Sequence, residues 1–503
     1  MRDSVRHLSK GVAIYGAGDA AVQVVNILLL TVYVKLGYLD KSDYGAIAVI
    51  TSVEMIAKIV SRWGLDGAFM RFFHDRAAGG PLEQMTSTIV WFMVGANGLV
   101  FAAAIAASGW LGDWLFHTPV YLLAFRLMLI NTCLISLTFV PFHVMRLRNE
   151  ATTYSALVFA RSAGTTLLRG IFVIGLGWGL TGWYGADLAL TIILWPILWR
   201  WIRPLLAVRF DRTDIGLALR FGLPRLPHGL AQQALDAGNK MLLKAHVGLD
   251  NLGVYQNGFA LGTGIRFFTS AFETAWAPFY YATSRRPEAR EVFGKIATYG
   301  LAVLTLLVAI TVAVSRDVIL VMLTPDYLKA EPVIPLIAIG MALQGVYLLT
   351  SIGLNLTSRT EYYPVGTFAA LGVGMTSGLV LMPRYGIKGA AIAFLLSTLT
   401  QTTVSFFLAR RFYPVSYEVG RIVRVLAAGV IAALAGLWLV PAWPPIVGLG
   451  ARTVVTAAVF AGLLAASGFL RNTERAFVAE TIAALRRRAP AAPKPSPKPD
   501  NDV

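Results

Sequence analysis

The stretch FGLPRLPHGLAQQALDAGNKMLLKAH (residues 221–246) decides how the chain is interpreted, because it has the length of a membrane-spanning helix and a polar stripe. At 100° per residue, its polar side chains lie within about 60° of one line along the helix. The residues that share this line are Arg225, His228, Gln232, Asp236, Asn239 and Lys240. Polar groups at bilayer depth are costly and usually face a bundle interior or a water-filled cavity. The stretch therefore predicts an internal polar cavity.

The composition of the chain is typical of a membrane protein. Of its 503 residues, 56% are hydrophobic and 14% are charged, whereas soluble domains carry about 25% charged residues. Apolar runs of about 20 residues, enough to cross a bilayer, recur along most of the chain. We predict an all-α polytopic membrane protein with about fourteen transmembrane helices. Cys133 is the only cysteine, which excludes an intrachain disulfide and a cysteine metal motif.

The net charge of +17 is a topology signal. Lys and Arg concentrate in alternate connections, including 200–220 and 285–295, and in the tail at 486–488, whereas 109–119 has none. Cytoplasmic segments carry such an excess, so we predict cytoplasmic N- and C-termini, and the basic surface also attracts anionic lipid. This distribution argues against nucleic acid as a partner.

A weak internal repeat divides the chain. Residues 36–49 and 247–261 both place a Gly near a Tyr as the next helix begins. Repeated halves are a common transporter plan, although small residues recur at helix starts in many membrane proteins. We predict the following units: a six-helix N-lobe at 1–208, an amphipathic linker at 209–220, a six-helix C-lobe at 221–412, two further helices at 413–470, and a basic, Pro-rich cytoplasmic tail at 471–503.

Residues 221–262 resemble the seventh and eighth spans of polysaccharide-export flippases in the multidrug/oligosaccharidyl-lipid/polysaccharide (MOP) exporter superfamily. Further matches follow in family order along nearly the whole chain. They lie at 43–49, 64–73, 271–281, 318–340 and 383–394. One departure concerns Asn239-Lys240, where the family often has an Asp before the basic residue; Asp236, one turn earlier, is the candidate for the acidic role.

This resemblance implies a two-lobed, V-shaped helical bundle in the bacterial inner membrane. Such a protein flips an undecaprenyl-diphosphate-linked oligosaccharide by alternating access, for O-antigen, capsule or exopolysaccharide synthesis. Its partners are the lipid-linked oligosaccharide, membrane lipids and polysaccharide polymerase or assembly proteins. No cofactor is implied beyond coupling to H⁺ or Na⁺.

The physical problem is to carry a diphosphate through a low-dielectric slab, where an unshielded anion is very costly. Buried Arg and Lys offset that cost, and Arg binds phosphate bidentately. The candidate cavity residues are Lys58, Arg62, Arg161, Arg169, Arg225, Lys240 and Arg266. Acidic residues within spans are fewer: Asp19, Glu54, Asp187, Asp236 and Glu273. Candidates for stacking on sugar rings are Trp63, Trp276 and Tyr280.

Several of these charges have competing interpretations. Glu54, Lys58 and Arg62 stand four residues apart, and the alternative for them is an ion-pair ladder that neutralises itself. Arg225 lies near a helix end, where its side chain can reach the headgroups. Arg266 and Glu273 share one face of the eighth span, where they can pair with each other.

A coupling-ion site is a further candidate. Asp19, Asn131 and Asp187 fall on the first, fourth and sixth predicted spans. Related multidrug exporters use acidic and amide residues on such spans to bind Na⁺ or H⁺, a correspondence by span alone. The alternative is hydrogen bonding between helices.

Three other functions compete with flipping. A cation-coupled multidrug exporter shares the architecture, but the cationic surplus favours an anionic substrate. A membrane polymerase or glycosyltransferase would need acid and base groups in a sizeable outer loop, and the longest predicted outer loop, around 316–332, has no His. A scaffold would leave the polar stripes without a role. We therefore predict a transporter and not an enzyme.

Overall fold

The computed structural model describes residues 25–26, 28–77, 82–148 and 150–469, and in these ranges every regular element is helical. The first half of the chain contains α1 (residues 25–26 and 28–35), α2 (Lys41–Val60), α3 (Leu65–Ala77), α4 (Leu82–Ala106), α5 (Ser108–Phe116), α6 (Leu122–Ser136), α7 (Phe139–Leu147), α8 (Ala151–Arg169) and α9 (Gly179–Ile202). The rest contains α10 (Arg212–Gly222), α11 (Leu226–Gly262), α12 (Arg266–Thr283), α13 (Ala289–Met322), α14 (Val333–Thr350), α15 (Ile352–Leu356), α16 (Tyr363–Tyr385), α17 (Ile387–Phe412), α18 (Val419–Trp438) and α19 (Pro445–Ala466).

Eleven helical segments in the described ranges are long and apolar enough to cross a membrane. They are α2 with α3, α4, α6 with α7, α8, α9, α13, α14 with α15, α16, α17, α18 and α19. The predicted all-α polytopic membrane fold is confirmed. The first predicted span falls mostly outside the described residues. The predicted seventh span corresponds to the first part of α11, and the predicted eighth span to the rest of α11 together with α12; polar side chains lower the hydropathy of both.

A glycine turn divides α11 into two legs, residues 226–247 and 249–262. Gly248 has φ 76° and ψ 178°, a conformation that glycine adopts and other residues avoid. The turn lies between the predicted seventh and eighth spans. The first leg therefore carries the polar stripe, and the second leg returns beside it.

Helix α10 covers most of the predicted amphipathic linker and extends two residues beyond it. It begins at an Asp211 cap, whose side chain accepts from the Thr213 and Asp214 amides. The buried side chains of α10 include Ile215 and Ala218, which join an apolar cluster with α3, α4 and α7. The linker is thus packed against the first half of the chain.

The transmembrane helices pack in neighbouring groups. In the first, α9 packs on α6 and α8, and α6 also contacts α2 and α4. In the second, α17 packs on α14 and α16, and both of these contact α11. Helices α18 and α19 pack on each other and on α13. The most extensive contact joins the groups, because α2 runs along α11.

Candidate functional site

Two of the three charged residues at and just after the end of α2 form an ion pair. Lys58 Nζ lies 2.6 Å from Glu54 Oε1, one helical turn away. Arg62 instead turns towards Asp66 of α3, with 3.9 Å between Nη1 and Oδ2 and both side chains well exposed. The ladder interpretation therefore holds for Glu54 and Lys58, whereas Arg62 has only a long, solvated contact, which is worth little.

A bidentate ion pair joins α8 to α9. Arg169 donates from Nε to Asp187 Oδ1 at 2.8 Å and from Nη2 to Oδ2 at 2.7 Å. The guanidinium carbon lies 4.1 Å from the centre of the Trp183 ring. Thr191 donates to Asn131 Oδ1 at 2.7 Å and to the Asp187 carbonyl at 2.9 Å. Asn131 and Asp187, two candidates for a coupling ion, are therefore held in a network between helices.

Arg161 of α8 has no salt bridge to another described residue. Its guanidinium interacts at longer range with Asp187, Arg62 and Glu54, and its side chain is half-buried. Since Asp187 and Glu54 each hold a nearer basic partner, Arg161 supplies positive charge that the described carboxylates leave uncompensated.

The polar stripe of α11 forms a second site. Lys240 Nζ donates to Asp236 Oδ2 at 2.8 Å, and its side chain is only 5% exposed. The ammonium lies 5.6 Å from the centre of the Phe259 ring on the returning leg. Asn239 donates from Nδ2 to the Tyr255 hydroxyl at 3.2 Å, and its buried Oδ1 has no hydrogen-bond partner in the described part of the chain.

Other predicted site residues lie elsewhere. Arg266 and Glu273 are both exposed on α12 and form no ion pair with each other. The structure does not describe the side chains of Arg225, His228 and Gln232. Asp19 lies outside the described residues altogether.

The three predicted sugar-stacking residues are engaged by protein in this conformation. Trp276 is 3% exposed and Tyr280 is 5% exposed. Both belong to an aromatic cluster in which Trp276 also contacts Phe272 and Phe293. Trp63 is half-buried, and its Nε1 donates to Asn97 Oδ1 at 2.8 Å. The rings of Trp276 and Tyr280 are therefore closed to a sugar here.

Sequence reasoning missed a partly open cavity of about 210 Å³ between α1, α2, α8 and α9. Its lining residues are Asn26, Leu29, Leu30, Tyr33, Tyr44, Thr166, Arg169 and Trp183. Aromatic residues near span ends are typical of the membrane interface, so their pattern gives no sign of an internal site. Among the described residues, no cluster of His, Cys, Asp or Glu could hold a metal ion.

One end of the bundle is closed by backbone contact between the start of α2 and the second leg of α11. A Cβ on Gly45 would lie 2.1 Å from the Leu249 carbonyl oxygen, and one on Gly253 would lie 1.8 Å from the Lys41 carbonyl oxygen. The Ser42 hydroxyl donates to Asp250, and Lys41 Nζ lies 3.2 Å from Asp326. The two repeated Gly-Tyr segments therefore face each other.

Comparison with known proteins identifies the fold. The profile of the family described as "Polysaccharide biosynthesis protein" matches residues 38–332. A lipid II flippase, MurJ, in an inward closed conformation is similar with a TM-score of 0.72 at 10% identity, over 90% of this chain and 98% of that one.

An inward-facing multidrug resistance MATE family transporter of the MOP superfamily is similar with a TM-score of 0.61 at 16% identity, over 80% of this chain and 95% of that one. A point mutant of the Vibrio cholerae MATE transporter VcmN gives a TM-score of 0.55 at 13% identity, over 80% of this chain and 97% of that one. No curated protein matches the chain by sequence. At these identities, the structures establish the fold.

Proposed function

Because the chain belongs to the polysaccharide biosynthesis protein family and has the MOP superfamily fold, we propose that it flips an undecaprenyl-diphosphate-linked oligosaccharide across the bacterial plasma membrane. The chain is a multi-pass membrane transporter of polysaccharide biosynthesis and not an enzyme. The finer claim is supported above all by Arg161, a half-buried cation without a salt bridge to another described residue.

The proposed cavity resolves an electrostatic problem. A diphosphate has to leave water, and its transfer into a low-dielectric interior is favourable only next to compensating charge. Arg161 on α8 and Arg62 in the turn after α2 supply that charge, because neither is held by a close carboxylate. The isoprenoid chain stays in the lipid, where it needs no compensation.

The backbone contact between α2 and the second leg of α11 supports a mechanism of alternating access. In the described conformation, Gly45 and Gly253 hold α2 and α11 in backbone contact. We propose that the N-lobe at 1–208 and the C-lobe at 221–412 separate at this contact, so that the cavity opens to the membrane face at this end. Helix α10, packed on the N-lobe, links the two units.

A multidrug exporter of cations fits the site less well. Such a substrate needs a carboxylate that is free to bind it. The interior carboxylates Asp187 and Asp236 already hold Arg169 and Lys240 at 2.7–2.8 Å. Surplus Arg161 repels a cationic drug, and a carboxylate that already holds a basic partner does not attract it.

Replacing Arg161 with Gln is expected to abolish glycan export while leaving the protein in the membrane, because the diphosphate loses its counter-charge. Arg169→Gln is expected to do the same through the unpaired Asp187. Surface glycan measured by labelling intact cells, together with immunoblots of membranes, checks both. Arg359→Gln is the matched control, because Arg359 is exposed and its salt bridge in the described part of the chain is to exposed Glu361. Normal surface glycan in both cavity variants would exclude the assigned cavity.

A further inference from the structure

We propose that the cavity between α1, α2, α8 and α9 is a subsite for one uncharged sugar unit of the exported oligosaccharide, separate from the residues that hold the diphosphate. The proposal rests on the proposed flippase function and specifies which part of the substrate this cavity takes. It is carried by the cavity's size, its charge balance and two buried hydroxyl groups without partners.

The size of the cavity suits a compact polar group. Its volume of about 210 Å³ corresponds to roughly seven waters at their share of liquid volume. Leu29 and Leu30 give it an apolar wall, and Tyr33 and Trp183, with ring centres 5.7 Å apart, give it aromatic edges. Apolar walls with a few placed polar groups are typical of small-molecule sites.

The charge balance of this cavity argues for a neutral ligand. Arg169 is the only charged residue in its described lining, and both Asp187 oxygens accept from it. An added diphosphate would have to compete with a bidentate carboxylate at 2.7–2.8 Å. A sugar hydroxyl would not have to displace Asp187. It could accept from the guanidinium nitrogen Nη1, which makes neither of the two bonds to Asp187.

Two tyrosines supply the hydrogen-bonding groups. Tyr33 is 2% exposed and Tyr44 is 4% exposed, and neither hydroxyl has a hydrogen-bond partner among the described residues. A buried hydroxyl without a partner is destabilising, so such groups need an explanation. Both tyrosines line the cavity. Both hydroxyl oxygens are closed to water in this conformation. A pyranose hydroxyl can both donate and accept, so a sugar that displaced the side chains packed over them would satisfy them.

Two arginines of α8 would therefore bind different parts of the substrate. Arg161, two turns before Arg169, carries the charge that no close carboxylate compensates among the described residues, and it suits the diphosphate. Arg169, with its charge compensated, suits the sugar. Variants of the two sites should consequently affect different parts of the substrate.

The test measures binding of two probes to purified protein in nanodiscs. One is undecaprenyl diphosphate; the other is the undecaprenyl-diphosphate-linked oligosaccharide extracted from cells that lack the transporter. We expect the wild type to bind the glycan-bearing probe about tenfold more tightly, the effect of one or two net hydrogen bonds. Tyr33→Phe/Tyr44→Phe should bring the two Kd values together without changing that for undecaprenyl diphosphate. Arg161→Gln should weaken both probes equally.

The outcomes separate the two proposals. Binding of neither probe by the wild type would contradict the flippase function and the subsite with it. Equal wild-type affinities, or an unchanged ratio in the double tyrosine variant, would overturn the subsite alone. A control for folding is Tyr255→Phe, whose hydroxyl accepts from Asn239. It should lower the Tm, whereas the double variant should not; a lower Tm there would make the two hydroxyls structural and overturn the subsite.

Discussion

Single residues show how this membrane interior tolerates charge. Each carboxylate described inside the two polar sites lies within 2.6–2.8 Å of one basic side chain: Glu54 with Lys58, Asp187 with Arg169, and Asp236 with Lys240. The sequence predicted the residues but not all of these pairs. Arg169 and Asp187 were assigned to different roles, because eighteen positions separate them and no helical spacing relates them.

Another interhelical ion pair, like Arg169 with Asp187, lies outside the proposed cavity. Arg452 of α19 donates to Asp317 of α13, and their side chains are 13% and 6% exposed. The sequence predicts Asp317 in a connecting loop, whereas α13 continues to Met322. The pair therefore ties the last helix to α13.

Replacing Asp317 with Ala is expected to lower the free energy of unfolding by about 3–5 kcal/mol, because it leaves the Arg452 guanidinium buried without its counter-ion. Glu361→Ala, which breaks an exposed pair with Arg359, should cost no more than about 1 kcal/mol. Thermal and denaturant unfolding of the detergent-purified variants measures both. Similar small losses in the two variants would show that the buried pair does not hold α19 in place.

At the scale of elements, the two segments of the internal repeat contact each other. The segments that begin α2 and the second leg of α11 resemble each other in sequence and pack face to face, with Gly45 against Leu249 and Gly253 against Lys41. Glycine is required here because a side chain would overlap a carbonyl oxygen of the opposite helix. The sequence predicted the repeat; the contact itself depends on the Gly248 turn, which brings the second leg back beside the first.

Replacing Gly253 with Val is expected to keep α2 and α11 apart and to stop export. The contact can be followed by oxidative cross-linking of Ser42→Cys and Asp250→Cys in a Cys133→Ser background, because the Ser42 and Asp250 side chains touch. The cross-link should form in that background and disappear when Gly253→Val is added. Gly98→Val is the matched control, since a Cβ there meets nothing within 4 Å. An equally efficient cross-link with Gly253→Val would contradict a glycine-dependent closure.

At the scale of the whole molecule, the helices alternate in direction, so the ends of successive spans mark the two membrane faces. The span Pro119–Leu147 places Val120 and Arg148 at opposite ends. The chain returns to the Arg148 face before α13, which places Glu288 there. Exposed arginines gather on this face, as the predicted topology requires.

Single cysteines at Arg148 and Glu288 should therefore resist a membrane-impermeant thiol reagent added to intact cells, in a Cys133→Ser background. A cysteine at Val120, which is 71% exposed, should react. Permeabilised cells, in which all three should be labelled, control for reactivity. Labelling at 148 or 288 from outside would reverse the predicted orientation.

Local chemistry was enough to predict the membrane class, the span order, the linker helix and the candidate charges. The hydropathy and charge of each segment determine its position relative to the bilayer, independently of the other segments. The family was predicted from the resemblance of residues 221–262 and the ordered matches along the chain, and the family profile over 38–332 confirms it.

Tertiary structure decided which charges remain available. The pairing of Arg169 with Asp187, the absence of a salt bridge between Arg161 and any other described residue, and the cavity lined by Tyr33 and Tyr44 all depend on how α1, α2, α8 and α9 meet. Electrostatic and hydrogen-bond energies change steeply over a few ångströms, whereas sequence spacing orders side chains only along one helix. A polar stripe could therefore be predicted from the sequence, but the partner of each group on it required the packed bundle.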